Sequence, residues 1–227
     1  MKKATIFLIS LMTILAISCK KEETTTGTCK IVKTISNGNE SNFEYDDQDR
    51  IISTYSNYAT ISYTGNTSLK IIKDEDGTIV SRTTTTRNTN GYITNIYYEK
   101  QNPTATYDIR NTNWAYQYNG NQVISAVYTT NFQNGASEKY NYTYTWSNGN
   151  MIKEVHKEVG NSNAYTYTTE YEYTDILMQK RAGYFWENTQ YGTGLPIMQT
   201  KHLIKSATSY SSSASPNKVL LLMILFR

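Results

Sequence analysis

Apolar and polar positions alternate with a period of two along most of the chain after about residue 30. In "FEYDDQDRIISTY", which begins at Phe43, one alternating stretch ends at a polar turn and a second begins at Ile51. Two alternating stretches around a short turn rich in Gly, Asn or Asp predict a β-hairpin. No stretch after residue 30 has the 3.6-residue periodicity of an amphipathic helix, so the pattern predicts an all-β fold.

The hairpin pattern returns in four later segments, which are "ISYTGNTSLKIIK" from Ile61, "TTRNTNGYITNIYYEK" from Thr85, "YQYNGNQVISAVYTTN" from Tyr116 and "YTWSNGNMIKEVHKE" from Tyr144. Six residues, which we call anchors, mark this pattern along the chain at irregular intervals of 18 to 31 residues. The predicted anchors are Tyr45, Tyr63, Arg87, Tyr118, Trp146 and Tyr173. Residues 30–210 are therefore predicted to form an antiparallel β-meander of repeated hairpins, with about ten to twelve strands in a curved sheet or barrel-like structure.

Tyrosine dominates the aromatic residues, with 21 Tyr against 5 Phe. Many of these rings share one parity of a strand, as in the stripe from Tyr140 to Trp146, so they are predicted to stand on one face of the sheet. Such a row of rings has two interpretations: it packs the sheet together, or it presents a flat surface to a ligand such as a glycan. The candidate binding platform consists of Trp114, Trp146, Phe185 and Trp186.

The N-terminus has the composition of an exported and lipidated protein. Lys2 and Lys3 precede an apolar run too short to span a membrane comfortably, which predicts a signal peptide over residues 1–18. "LAISC" resembles the lipobox of bacterial lipoproteins, and this resemblance implies cleavage before Cys19 and lipid, including palmitate-type chains, on its thiol. Residues 19–29 are predicted to be a flexible tether, with Cys29 a passive residue before the first strand.

Two further resemblances bear on location and fold. "KKEE" after Cys19 is similar to the export tag of surface lipoproteins in Bacteroidetes-type bacteria, which implies a lipid-anchored, surface-exposed protein of the outer membrane. From Ile31 to Ser206, including "GTGLP" and "KHLIKSAT", the chain resembles a family of Bacteroidetes lipoproteins with a porin-like β fold. It resembles the tyrosine-aspartate repeats of Rhs-type proteins more weakly, since Tyr45 is the only one of the anchors that is followed directly by Asp. The family resemblance implies a β-meander or barrel and no known activity.

Residue types that carry chemistry are sparse. A net charge of +3 with scattered Lys and Arg disfavours nucleic acid as a partner. His156 and His202 are interpreted as solvated surface residues, and Glu170 and Glu172 as the wet side of a tyrosine stripe. "KDEDGT" lacks the ligand spacing of a calcium loop, and no zinc-type cluster is present. The sequence therefore predicts no catalytic residue, no metal and no cofactor.

The apolar tail is out of character with the repeats. Residues 211–227 end in "KVLLLMILFR", which does not alternate and is too short to span a bilayer. A buried last strand, an exposed aggregation-prone end and a frameshift all remain open. Read from the third base of the Lys218 codon, the nucleotides permit Ser or Gly followed by Thr-Thr-Thr-Tyr-Asp-Phe, and Met223 followed by Ile224 forces the Asp.

Taken together, the residues predict a non-enzymatic cell-envelope or surface lipoprotein, attached to the membrane through Cys19, that binds a glycan or a protein. The alternative is a purely structural or assembly protein of the outer membrane with no small-molecule ligand.

Overall fold

The computed structural model describes residues 32–36, 39–54, 58–177, 200–212 and 217–219, and these residues form β-strands and turns without a helix. The all-β prediction is confirmed. The strands are β1 (Lys33–Ser36), β2 (Asn39–Asn42), β3 (Glu44–Tyr45), β4 (Ile51–Thr54), β5 (Ala59–Thr64), β6 (Thr67–Lys73), β7 (Ile79–Arg87), β8 (Ile93–Lys100), β9 (Ile109–Asn119), β10 (Gln122–Phe132), β11 (Ser137–Ser147), β12 (Asn150–Glu158), β13 (Thr166–Leu177), β14 (His202–Ser211) and β15 (Asn217–Val219).

The chain divides into two compact units, one ending at Thr60 and the other beginning at Ile61, so that β5 runs through both. In the first unit, β1 and β2 form a two-stranded antiparallel sheet, and β3, β4 and the start of β5 pair in chain order. The backbone N–H of Phe43 donates to the carbonyl of Val32 at 3.0 Å. Phe43 and Ile51 supply the apolar core of this unit.

In the second unit, every strand pairs with the next strand along the chain, from β5 to β15. The pairings that join β6 to β15 are antiparallel, which confirms the predicted meander of hairpins. The order is linear, and no ladder among the described residues joins β6 to β15, so this unit forms an open sheet rather than the barrel-like alternative.

Five of the six predicted anchors occupy the same structural position, opposite an aliphatic residue of the following strand. The pairs are Tyr45 with Ile51, Arg87 with Ile93, Tyr118 with Val123, Trp146 with Met151, and Tyr173 with Ile204. The aliphatic partner is buried in each case, and a β-bulge adjoins each pair. A bulge bends and twists a strand locally, so its recurrence at each anchor gives successive hairpins the same distortion.

The residue after the anchor holds the turn. Asp46 Oδ1 accepts the backbone N–H groups of Gln48 and Arg50, at 3.0 and 2.9 Å. In the equivalent position, Asn88 Oδ1 accepts the N–H of Tyr92 at 3.0 Å. A short side-chain acceptor that bonds the backbone two to four residues later stabilises a tight turn, which explains why Asp or Asn follows the anchor there.

The core of the second unit lies on one face of β8–β12. Its buried side chains are Ile93, Ile96, Trp114, Tyr116, Val123, Ala126, Tyr142, Tyr144 and Met151. Apart from Lys70, the buried positions of β6 and β7 carry small hydroxyl residues, such as Ser68 and Thr85, which lie in the same cross-strand row as Ile96 and Trp114.

Several predictions concern residues outside the described part of the chain. These are the signal peptide, Cys19 and its tether, Cys29, the pair Phe185 and Trp186, and the apolar residues after Val219. The domain boundaries that depend on them stay predictions.

Candidate binding surface

Eight rings form a continuous row across β9–β13, which we call the aromatic ladder. Its members are Trp114, Tyr116, Tyr128, Tyr140, Tyr142, Tyr144, His156 and Tyr167. They share a face because the register places Tyr116, Ala126, Tyr142, His156 and Tyr167 opposite one another on successive strands. The predicted row of rings on one face is thus present, and the cross-strand contacts tie five strands together.

Ring contacts are closest at the Trp114 end of the ladder. The Trp114 centroid lies 4.5 Å from that of Tyr128 and 5.0 Å from that of Tyr142. Trp114 also stacks on Tyr116, with the two ring planes 9° apart. Because its neighbours are themselves aromatic, a ligand could reach the Trp114 ring only by displacing one of them.

Exposure rises steeply along the ladder. Trp114 is 2% exposed and Tyr142 is 8% exposed, whereas Tyr167 is 44% exposed. Tyr165, just before β13, is 51% exposed. The ladder is therefore core at its β9 end and solvent-accessible surface at its β13 end.

His156 connects the two ends. Its ring lies between those of Tyr142 and Tyr167, with centroids 4.8 and 5.0 Å away and planes inclined by 28° and 17°. Its Nδ1 is 3.4 Å from Glu154 Oε1. The interpretation of His156 as a solvated surface residue is therefore wrong: its charged sequence neighbours lie beside it, but the ring itself packs into the ladder.

One face of the Tyr167 ring is covered, yet the residue as a whole is 44% exposed. His156 stacks on the first face, whereas on the β14 side the register places the small residue Ser211 opposite Tyr167. Among the described residues, no ring stacks on Tyr167 from that side. The last ring of the ladder therefore offers a flat apolar surface to solvent.

Carboxylates and an amide lie near this open end. Tyr140, across from Glu158 in the register, donates its hydroxyl to Glu138 Oε2 at 3.2 Å. Asn161 Nδ2 donates to Glu158 Oε2 at 2.9 Å. Each carboxylate retains further lone pairs, so this rim supplies acceptors for the hydroxyl groups of a ligand.

Four tyrosines of the ladder, Tyr116, Tyr140, Tyr142 and Tyr144, have a raised pKa and stay neutral at physiological pH. Burial raises the pKa of Tyr116, Tyr142 and Tyr144, and the nearby Glu154 carboxylate raises the pKa of Tyr142 and Tyr144 further. For Tyr140, burial followed by the Glu138 carboxylate raises the pKa of the phenol. These four phenols are consequently uncharged, and they are bordered by the carboxylates of Glu138 and Glu154.

The predicted platform residues divide between the core and the part of the chain that is not described. Trp114 lies in the core, and Trp146 is half-buried with its indole N–H donated to the Val123 carbonyl at 2.7 Å. Phe185 and Trp186 lie outside the described residues. A binding role for these four residues stays a prediction. Tyr165 and Tyr167 were not among the predicted platform residues. Both begin the last stripe of tyrosines with one parity, which continues through Tyr171 and Tyr173, and this position could have indicated them.

Other candidate groups are engaged within the fold. Glu170 contacts Lys153 at 3.7 Å and accepts the Tyr210 hydroxyl at 3.1 Å, while Glu172 accepts the Ser206 hydroxyl at 2.8 Å. They line a shallow cavity of about 290 Å³ on the face opposite the ladder.

The acidic turn and His202 have structural contacts. Asp74 and Asp76 both accept the backbone N–H of Thr78, at 2.9 and 2.7 Å. His202 Nδ1 lies 3.0 Å from the side-chain nitrogen of Asn150. In the described part of the chain, no group of three or more His, Cys, Asp or Glu residues is arranged to hold a metal ion.

Comparison with known proteins supports the fold alone. No family model matches the chain, and the curated proteins contain no significant match. Among solved structures, a porin-like protein from Bacteroides vulgatus ATCC 8482 is similar, with a TM-score of 0.54 over 83% of each chain and 12% sequence identity. The expected porin-like β fold is thereby confirmed, while the resemblance to tyrosine-aspartate repeats stays a prediction. Of the described residues, none belongs to a helix long and apolar enough to cross a membrane.

Proposed function

We propose that this chain is a non-enzymatic, lipid-anchored protein of the outer membrane that binds glycans at the open end of the aromatic ladder. The observation that carries the proposal is the uncovered face of Tyr167, which is 44% exposed at the end of a ladder whose other end is buried. One face of a pyranose ring carries C–H groups that pack on such a surface, and polar groups at the rim fix its orientation. Glu138, Glu158 and Asn161 supply that rim.

The location is supported by two independent features. The lipobox ending at Cys19 implies attachment to the membrane through lipid, and the following "KKEE" favours the outer leaflet. The structural neighbour from Bacteroides is a porin-like protein, which is consistent with an envelope location for this fold. The proposed partners are therefore the membrane, through Cys19, and an extracellular glycan. Nucleic acid, metal and cofactor have no part in the proposal.

Binding of the full-length protein to a glycan array tests the proposal. The variants are Tyr167→Ala and, as a matched control, Tyr107→Ala, since Tyr107 is 81% exposed on a loop outside the ladder. Loss of a central aromatic contact costs more than about 1 kcal/mol, so we expect Tyr167→Ala to weaken binding at least about fivefold. The control should bind like the unmodified protein. Absence of glycan binding, or equal binding by Tyr167→Ala, would contradict the proposal.

A purely structural or assembly function is the second candidate. It is favoured by the polar tips of three aromatic residues, Tyr118, Trp146 and Tyr173, which all bond to backbone carbonyls of this chain rather than point outward. If the array retains no glycan while the protein remains folded and membrane-bound, the structural function replaces the binding function. A protein partner is tested by a pull-down from envelope extract with the same variants. If the partner binds at this site, the unmodified protein retains an envelope protein that Tyr167→Ala does not retain, and the array shows no glycan binding.

A further inference from the structure

One hydrogen bond recurs in three successive hairpins of the second unit. In each, an anchor residue donates to the carbonyl of an aliphatic residue that is the first or second residue of the preceding strand. The bonds are Tyr118 Oη to Ile93 O at 2.6 Å, Trp146 Nε1 to Val123 O at 2.7 Å, and Tyr173 Oη to Met151 O at 2.5 Å. Each of the three carbonyls belongs to a residue beside a β-bulge, where the regular ladder is interrupted.

The position of the anchor follows from strand register. In β8 and β9, Asn95 pairs with Ala115, so continued pairing would place residue 117 opposite Ile93. The actual donor is Tyr118, one residue further along. The same offset holds for the other two anchors. Ser125 pairs with Thr143, so continued pairing would place residue 145 opposite Val123, and the donor is Trp146. Lys153 pairs with Glu170, so continued pairing would place residue 172 opposite Met151, and the donor is Tyr173. The rule is therefore specific enough to locate an anchor on a strand whose register is known.

The rule can be applied to β14 and β15. Ile204 occupies the aliphatic position of its hairpin, opposite Tyr173, and is 6% exposed. Ala207 pairs with Val219, so the same register and offset assign the donor for the Ile204 carbonyl to position 223. This chain has Met223 there, and a thioether has no hydrogen to donate.

The shifted frame permits a tyrosine at that same position. When the codons of the shifted frame are counted from the third base of the Lys218 codon, the fifth codon corresponds to position 223. This codon ends in the bases AT, which are the first two bases of the Met223 codon. Only T as the preceding base completes a tyrosine codon, TAT. The next codon is GAT, which encodes Asp, because the Met223 codon ends in G and every Ile codon begins with AT. An Asp directly after the anchor repeats the Tyr45–Asp46 arrangement, in which Asp46 holds the turn.

We propose that a shift of the reading frame at Lys218 produced the residues that follow it in this chain. We further propose that the edge of β14 binds the strand that the other frame encodes, which has tyrosine at position 223 and aspartate at position 224. The phenol of that strand donates to the Ile204 carbonyl, and the β14 edge near Ile204 is its binding surface. This inference is independent of glycan binding, because it rests on strand register, on the three repeated hydrogen bonds and on the genetic code.

A single base tests the reading frame. The proposal requires that the Leu222 codon is CTT, since T must precede the AT of Met223. Any other leucine codon at that position overturns it, because the shifted frame would then encode His, Asn or Asp in place of tyrosine. The gene sequence supplies this result directly.

Stability measurements test the binding surface separately. The full chain is prepared with "VLLLMIL" at Val219–Leu225 replaced by "STTTYDF", and a matched control differs only in carrying phenylalanine at position 223. One buried hydrogen bond corresponds to a shift in the thermal midpoint of about 2–4 °C for a chain of this size. We expect the chain with tyrosine at position 223 to have a thermal midpoint about 2–4 °C higher than the control with phenylalanine. Equal midpoints would overturn the assignment of the Ile204 carbonyl as the acceptor.

Discussion

Replacing Tyr118 by Phe removes one hydroxyl and leaves the rest of the anchor in place. Tyr118 Oη donates to Ile93 O at 2.6 Å, and its ring stacks on Tyr92 with centroids 5.4 Å apart, a contact that Phe preserves. A net hydrogen bond contributes about 0.5–1.5 kcal/mol, and a buried carbonyl left without a donor costs about 1–3 kcal/mol. We therefore expect Tyr118→Phe to lower the free energy of unfolding by about 1–2 kcal/mol.

Tyr144→Phe is the matched control, since it makes the same chemical change on the same face. The Tyr144 hydroxyl is buried and has no hydrogen-bond partner among the described residues, and Tyr144 is 6% exposed. Removing an unpaired buried hydroxyl relieves a desolvation cost, so this variant should be as stable as the unmodified protein or slightly more stable.

Urea unfolding followed by circular dichroism measures both variants against the unmodified chain. The reasoning about anchors predicts a clear loss for Tyr118→Phe and none for Tyr144→Phe. A loss for Tyr144→Phe equal to or larger than that for Tyr118→Phe would refute it, because the hydrogen bond to Ile93 would then contribute nothing beyond ring packing.

Three further predictions follow from single sites. The Lys100 ammonium and two backbone N–H groups hold the pKa of Asp108 below its usual range, so its stabilising contribution is present above about pH 4 and is lost as pH falls through the folded pKa. Asp108→Asn should therefore flatten the decline of the thermal midpoint on acidification, and an unchanged decline would contradict this. Asn150 Oδ1 accepts the N–H of His202 at 2.9 Å, so Asn150→Ala should cost about 1–3 kcal/mol in urea unfolding, with Asn150→Asp losing less. Cys19→Ala should abolish palmitate labelling and release the protein from the membrane fraction, and persistent labelling would exclude Cys19 as the anchor.

The hairpins and their anchors could be predicted because their determinants are local. Alternation sets which side chains share a face, and Gly, Asn or Asp fixes the turn, so both are legible within about fifteen residues. The pairs Trp146 with Met151 and Tyr118 with Val123 lie across single turns, close together in sequence. The Tyr173 with Ile204 pair is different, since many residues separate its members and only the structure joins them.

The open end of the ladder could not be predicted, because exposure depends on the neighbouring strand. Tyr142 and Tyr167 have the same local pattern, yet one is 8% and the other 44% exposed. On the following strand, Tyr142 has His156 opposite it, whereas Tyr167 has Ser211, and the pairing of Tyr167 with Ser211 joins strands that are distant in sequence. His156 was misassigned for the same reason: its charged neighbours in sequence indicated solvent, but its cross-strand neighbours are rings.

Nuclear magnetic resonance of the protein labelled with ¹³C on its tyrosine rings tests the central claim most directly. The oligosaccharide retained best on the array is titrated in, and the Tyr167 signals are assigned from their loss in Tyr167→Phe. We predict that the Tyr167 ring signals shift with saturation while those of Tyr116 and Tyr142 stay in place, because only the last ring has an open face. Saturable binding that leaves the Tyr167 signals unmoved would contradict the assignment of the glycan site to this end of the ladder.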